Sequence, residues 1–159
     1  MIIGLIPTHL KSKRLPRKAL LNLAGLPMII HTYKRAKKSK KLDEVYVCTD
    51  SLEIIKICKK YNAKYIRTSS KPNNGTERIG EASKKIKKCK LIIDIQGDEP
   101  LINPKDIDKV INFHLKNNEF DIVVPYQPTQ QKNNKNIVKI LSSRNRVLSF
   151  SRLDIPLNF

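Results

Sequence analysis

Short apolar blocks of strand length alternate with longer segments of helical period along most of this chain, which restricts it to a βαβ arrangement around a largely parallel sheet. Ile2–Ile6 forms the first such block, and Leu91-Ile92-Ile93-Asp94-Ile95 is the most apolar. Between them fall strand-like blocks at 45–48 and 64–67, with a further one at 122–124. The spacing predicts a helix from Pro27 to about Lys41 with Ile29, Tyr33 and Ala36 on its inner face. A second helix, capped by Asp50 or Ser51, would bury Ile54, Cys58 and Tyr61. A third, after Gly75, would bury Ile79, Ala82, Ile86 and Cys89. A fourth, from about Lys105 to Leu115, would turn Ile107, Val110, Ile111 and Leu115 inward. The block at 91–95, being the most apolar, is expected at the centre of the sheet.

The rhythm changes after Pro125. A polar stretch rich in Gln, Asn and Lys leads to blocks at 137–141 and 147–150 with a turn between them and no helix, which predicts a hairpin. The expected organisation is an α/β core over residues 1–125 and a β region over 126–159, with 159 residues in all.

No apolar run approaches the roughly 20 residues that span a bilayer, and the N-terminus lacks the pattern of a secretory signal, so no membrane insertion and a cytoplasmic location are expected. Cys48, Cys58 and Cys89 have neither CxxC nor Cys/His spacing and are expected as buried thiols. The formal charge of +18 attracts polyanions in general: nucleic acid, an anionic membrane, or small phosphorylated and carboxylated molecules. Charge alone does not choose among these, and lysines that merely fill solvated positions would give the same total.

Three loops carry candidate chemistry. Pro7-Thr8-His9-Leu10-Lys11-Ser12-Lys13-Arg14-Leu15-Pro16-Arg17-Lys18 follows the first strand, and five of the eight residues from Lys11 to Lys18 are basic. Such a loop wraps a triphosphate or is simply solvated; it is not a Walker loop, since GxxxxGK[ST] is missing. Gly75-Thr76-Glu77-Arg78 opens a helix, where free N–H groups favour anions or nucleobase oxygens, unless Thr76 merely caps it and Glu77 complements its dipole. Gln96-Gly97-Asp98-Glu99-Pro100 sets two carboxylates at the carboxyl end of a strand, a setting that suits Mg²⁺ or serves as a polar turn.

Together with Arg14-Leu15-Pro16, Pro27-Met28-Ile29, Thr49-Asp50, Val138-Lys139, Phe150-Ser151-Arg152 and Ile155-Pro156, these loops make the chain resemble the 3-deoxy-manno-octulosonate cytidylyltransferases, or CMP-Kdo synthetases. The resemblance implies a nucleotide-diphospho-sugar transferase fold, Rossmann-like, with a mixed, mainly parallel sheet flanked by helices. It implies transfer of CMP from CTP to the acidic sugar 3-deoxy-D-manno-octulosonate (Kdo), with release of pyrophosphate, for lipopolysaccharide biosynthesis. The nucleotide-binding residues it implies are Pro7, His9, Ser12, Arg14, Lys18, Gly75, Thr76, Glu77 and Arg78. Arg14, Lys18 and Asp98 would be catalytic, Asp98 would hold Mg²⁺, and Gln96 and Arg152 would lie toward the sugar.

His9 stands where that family usually carries arginine, Arg17 where glycine is common, and Asn74 where serine is usual. Members continue beyond the Phe-Ser-Arg segment into a region that completes the sugar site, supplies a second metal-binding aspartate and forms much of a homodimer interface, so this chain is expected to be a fragment of a longer reading frame, a degraded copy, or a half whose remainder is supplied separately. The competing expectations are a catalytically inactive nucleotide-binding fragment and a basic polyanion-binding protein. Nucleic acid is the weaker of the expected partners, because no nucleic-acid-binding motif accompanies the charge.

Overall fold

The computed structural model describes residues 1–11, 15–129 and 134–154. The chain divides into two compact units, Met1–Asp121 and Ile122–Phe159.

In the first unit the strands β1 (Ile2–Pro7), β4 (Glu44–Thr49), β5 (Tyr65–Arg67) and β6 (Leu91–Asp94) form one parallel sheet in the order β5-β4-β1-β6. A small antiparallel hairpin, β2 (Asn22–Leu23) and β3 (Leu26–Pro27), precedes α1 (Met28–Ala36). The remaining helices are α2 (Leu52–Lys60), α3 (Gly75–Ser83) and α4 (Pro104–Lys116). Side chains alternate across the sheet as the period-two rule requires. Ile6, Val45 and Val47 meet Ile29, Ile30, Ile54, Ile107 and Ile111 of α1, α2 and α4 on one face. Ile3, Leu5 and Cys48 meet Ile79 and Ala82 of α3 on the other.

Ile29, Tyr33 and Ala36 are all buried, as their spacing predicts. Ser51 is the cap of α2, accepting from the Ile54 N–H at 3.3 Å. Burial pushes the Cys48 thiol up to about 12 and that of Cys58 up to about 11, which leaves both protonated and inert at neutral pH. Among the described residues no helix is long and apolar enough to cross a membrane.

Several expectations need correction. The block at 91–94 lies beside β1 alone among the described strands, at the edge of the sheet, and it is β1 and β4 that are central. Strand order depends on pairing across long sequence separation, which apolar content does not encode. Ile122–Val124 is not a strand; Ile122 is 80% exposed, and three apolar residues without a ladder to join gain nothing from an extended pairing conformation. The third helix stops at Ser83 and continues as tight turns, so Ile86 and Cys89 reach the core only half-buried. Lys88, with φ 56°, lies in the left-handed region and cannot continue a helix. Cys89 is therefore not a buried thiol. The hairpin at residues 22–27 went unassigned in the sequence, although Ala24 and Gly25, with φ 46° and 88°, form the two-residue left-handed turn that such hairpins use.

In the second unit β7 (Lys139–Ser143) and β8 (Arg146–Ser151) form the expected hairpin, turned by Arg144 and Asn145 at φ 45° and 64°. Lys139 anchors it: Nζ donates to Asn134 O at 2.8 Å and Arg152 O at 3.0 Å and pairs with Asp154 at 3.2 Å.

Candidate functional site

The site grows from the carboxyl end of β1. Thr8 N donates to Cys48 O at 2.9 Å, extending the ladder one residue past Pro7 and holding the start of the basic loop against β4. Gly97 follows β6 so closely that a Cβ there would stand 2.9 Å from the Pro7 carbonyl oxygen, an approach only glycine permits. Thr32 of α1 secures this turn by donating to Gly97 O at 3.3 Å. Gly75, at the first residue of α3, packs on the other side of Pro7, where a Cβ would meet the ring at 3.2 Å. All three candidate loops therefore meet around one proline.

They enclose a cavity of about 320 Å³. Of the expected site residues, Pro7, His9, Lys18, Gly75, Arg78, Gln96 and Asp98 line it. Thr8, Lys11, Ala19, Met28 and Gly97 complete the wall, and buried Ala19 and Met28 give it an apolar patch. Ser12 and Arg14 lie outside the described residues.

Thr76 and Glu77 do not line the cavity. The Glu77 carboxylate accepts from Asn73 N at 2.8 Å and Asn74 Nδ2 at 2.8 Å, while Asn74 Oδ1 accepts from Glu77 N at 2.9 Å. This reciprocal arrangement makes Asn74, rather than Thr76, the cap of α3. It also shows what the asparagine at position 74 does: its short side chain satisfies the orphan N–H that a serine would otherwise serve.

Lys18 leaves a 3₁₀ turn over Lys18–Leu20 and forms an ion pair with Asp98 Oδ2, both lining the cavity. Its neighbour Arg17 has φ 58°, the left-handed region that favours glycine, which accounts for the glycine expected there by resemblance. Arg17 compensates with a two-pronged ion pair to Glu53, at 3.0 Å and 2.5 Å, that ties the loop to α2. The hydrogen bond to Arg17 holds the Glu53 carboxyl below its usual range.

At the end of β6, carboxylates accumulate. Burial pushes the Asp94 carboxyl up, and a hydrogen bond from Gln96 Nε2 at 3.0 Å partly offsets this. Burial also raises Glu99, with further repulsion from Asp98 and Asp94. Among the described residues no three carboxylate, imidazole or thiol groups converge on one point, so no all-protein metal cage exists there. Magnesium does not need one, since it commonly takes one or two carboxylates plus substrate phosphates and water. Asp98, half-open on the cavity in a locally acidic turn, fits that donor set.

Arg78 is 4% exposed and joins three elements. Nη1 donates to Thr68 Oγ1 at 2.5 Å and Ser69 O at 3.1 Å, and lies 3.1 Å from Asp50 Oδ1. In the sequence Asp50 reads only as a cap candidate and part of the Thr49-Asp50 motif, and Thr68 only as the start of a loop, so neither is assigned a role beside Arg78. Arg152 belongs to the second unit, where Nη1 donates to Lys135 O at 3.1 Å.

A parallel sheet carrying a nucleotide-sized cavity at its carboxyl edge, with basic and acidic groups lining it, defines a nucleotidyltransferase-like site. The sequence profile of the cytidylyltransferases matches residues 3–159, and the chain belongs to that family. The 3-deoxy-manno-octulosonate cytidylyltransferase of Chlorobium limicola is 40% identical over 158 residues, covering 96% of this chain and 64% of the relative. A solved CMP:2-keto-3-deoxy-manno-octonic acid synthetase complexed with CTP superposes with a TM-score of 0.85 at 31% identity, over 98% of this chain and 66% of that one. A nucleotidyl transferase from Methanothermobacter thermautotroptrophicus shares the fold alone, at 18% identity and a TM-score of 0.61 over 70% of this chain and 57% of that one. The chain spans about 64% of the length of the curated relatives it matches.

Proposed function

We propose that the cavity binds CTP with Mg²⁺, and that the chain provides the nucleotide-binding part of a 3-deoxy-manno-octulosonate cytidylyltransferase. The reading rests on one observation above all: three loops distant in sequence pack around Pro7 to form a single cavity lined by a lysine and an aspartate that pair with each other. The names of the relatives supply the rest, since they are Kdo cytidylyltransferases and one solved relative holds CTP.

In the proposed reaction a hydroxyl oxygen of Kdo attacks the α-phosphorus of CTP. A new P–O bond forms as the hydroxyl proton passes to water, the bond from the α-phosphorus to the bridging oxygen breaks, and pyrophosphate leaves with that oxygen. Lys11 and Lys18, with Ser12 and Arg14 of the same loop, would draw the triphosphate along the basic segment and balance the charge that builds on the leaving group. Pro7, His9, Gly75 and Arg78 would form the wall toward the cytidine, with Thr76 and Glu77 holding the backbone of that wall in place through the α3 cap. Gln96 would face the acidic sugar, and Arg152, in the second unit, is assigned to the sugar by the family resemblance alone. Mg²⁺ bound at Asp98 would polarise phosphoryl oxygens as a Lewis acid. The whole protein is proposed to act as a cytoplasmic homodimer in lipopolysaccharide biosynthesis.

Calorimetric titration with CTP and ATP, each with and without Mg²⁺, tests the reading. Mg²⁺-dependent binding that favours CTP by at least about tenfold, roughly 1.4 kcal/mol, is expected, and Asp98→Asn should remove the Mg²⁺ dependence while leaving the melting transition in place. Equal binding of both nucleotides with steep salt dependence would instead identify a general polyanion binder.

A further inference from the structure

Arg78 has more acceptors on one nitrogen than that nitrogen has hydrogens. Nη1 carries two N–H bonds, and Thr68 Oγ1 and Ser69 O take both. Asp50 Oδ1, at 3.1 Å from the same nitrogen, is a buried oxygen with no aligned hydrogen bond. Its hold on Arg78 is thus electrostatic. Nε and Nη2 make no hydrogen bond to a described residue, and Arg78 lines the cavity.

The surroundings keep this guanidinium from turning. Thr68 is itself tied to β4 through its N–H to Thr49 O at 2.9 Å. Ser69 is held to α3 by Glu81, which accepts from Ser69 N and Oγ at 2.7 Å each. The carboxyl ends of β4 and β5 and the first turns of α3 therefore clamp one edge of the fork and leave its other edge presented.

We propose that Asp50 is a specificity-determining positioning residue, which holds Arg78 so that a fixed pair of parallel donors faces the pyrimidine edge of the nucleotide. This rests on the reading of the cavity as a CTP site. Two parallel N–H donors match the O2 and N3 acceptors of cytosine. Uracil keeps the O2 acceptor but places an N–H at N3, which meets a donor head-on and leaves both groups unpaired. Asp50 does not touch the base; it acts through the orientation of Arg78.

The test compares Mg²⁺-dependent binding of CTP and UTP to the full chain by calorimetry. The wild type is expected to favour CTP, and Asp50→Asn to shrink the CTP-to-UTP ratio by about tenfold, mainly through weaker CTP binding. Asp50→Glu, which keeps the charge, should restore part of the ratio, an outcome that a purely structural role does not produce. Because loss of one member of a buried pair can unfold a chain, Thr68→Val serves as the second variant. It keeps the charge pair, frees one Nη1 hydrogen, and should lower the ratio in the same direction by a smaller factor. Equal weakening of CTP and UTP in both variants would overturn the proposal and place Arg78 on phosphate or ribose. A wild type that binds CTP and UTP equally would also overturn it while leaving the nucleotide site standing. A folded wild type that binds neither would remove both readings.

Discussion

The two ends of the parallel sheet carry positive charge in opposite ways. At the carboxyl end each described basic group with an ion-pair partner is committed: Lys18 to Asp98, Arg17 to Glu53 and Arg78 to Asp50. At the amino end stand the exposed lysines of the helix-to-strand turns, Lys37, Lys38, Lys40 and Lys41 before β4, and Lys87, Lys88 and Lys90 before β6. The acids beside them serve the backbone. Asp43 accepts from Ile2 N at 2.7 Å, and Asp108 accepts from Lys40 N and Lys41 N at 3.2 Å and 3.1 Å. The charge total of +18 is thus a poor guide to function. A site is built where charges are held in opposed pairs by close backbone packing, whereas lysines after helix C-termini complement dipoles and face solvent.

If close packing around Pro7 makes the site, disturbing it should have the largest effect. Gly97→Ala drives a Cβ to within 2.9 Å of a backbone oxygen that cannot rotate away, so β1 and the 96–100 turn must separate. The expected cost is about 1–3 kcal/mol in chemical denaturation, together with loss of measurable CTP binding. Gly80→Ala is the matched control: it lies within α3, where an added Cβ meets nothing within 4 Å, and should stabilise by about 0.5–1 kcal/mol. Equal effects at the two glycines would mean that the approach at Pro7 does not shape the cavity.

The acid at the opposite end should matter for stability and not for binding. Burial raises the Asp108 carboxyl, but the Ser39 hydroxyl and the Lys40 and Lys41 N–H groups outweigh it and hold the group below its usual range. A carboxyl depressed in the folded state stabilises above its unfolded pKa, and that contribution is lost as pH falls through the folded value. Asp108→Asn should therefore cost about 1–2 kcal/mol near pH 7, and the difference from wild type should shrink as acidification takes the pH below the ordinary carboxylate range. A difference that persists unchanged at low pH would assign the loss to packing.

Part of this contrast is legible in the sequence. The i, i+4, i+7 stripe of Ile29, Tyr33 and Ala36 and the serine at position 51 encode local structure through periodicity and capping, and both hold. The order of strands was not readable, because apolar Leu91–Asp94 fits an edge beside β1 as well as a centre. At the site, motif loops pointed to Pro7, Lys18, Gly75, Arg78 and Asp98, all of which line the cavity. Asp50 stands in the sequence as a cap candidate and in the Thr49-Asp50 motif, but its contact with Arg78 spans 28 positions of sequence, and no local pattern marks such a pairing. Arg17 was visible only as a departure from glycine; its reason is a backbone angle and a partner on α2.

The smallest expected effect tests the comparison most directly. Replacing Lys40, Lys41, Lys87 and Lys90 together by Gln removes four charges from the amino end. The six residues of β1 separate that end from the cavity by about 20 Å at 3.3 Å per residue. At physiological ionic strength the screening length is about 8 Å, so the field of these lysines has largely decayed before it reaches the cavity. Affinity for CTP should change by less than about twofold, whereas Lys18→Ala, which removes a single charge, should weaken it by at least about tenfold. A fall in affinity for the quadruple variant that matches the loss in Lys18→Ala would mean that the summed field of the chain, rather than the opposed pair at the carboxyl end, draws the triphosphate in.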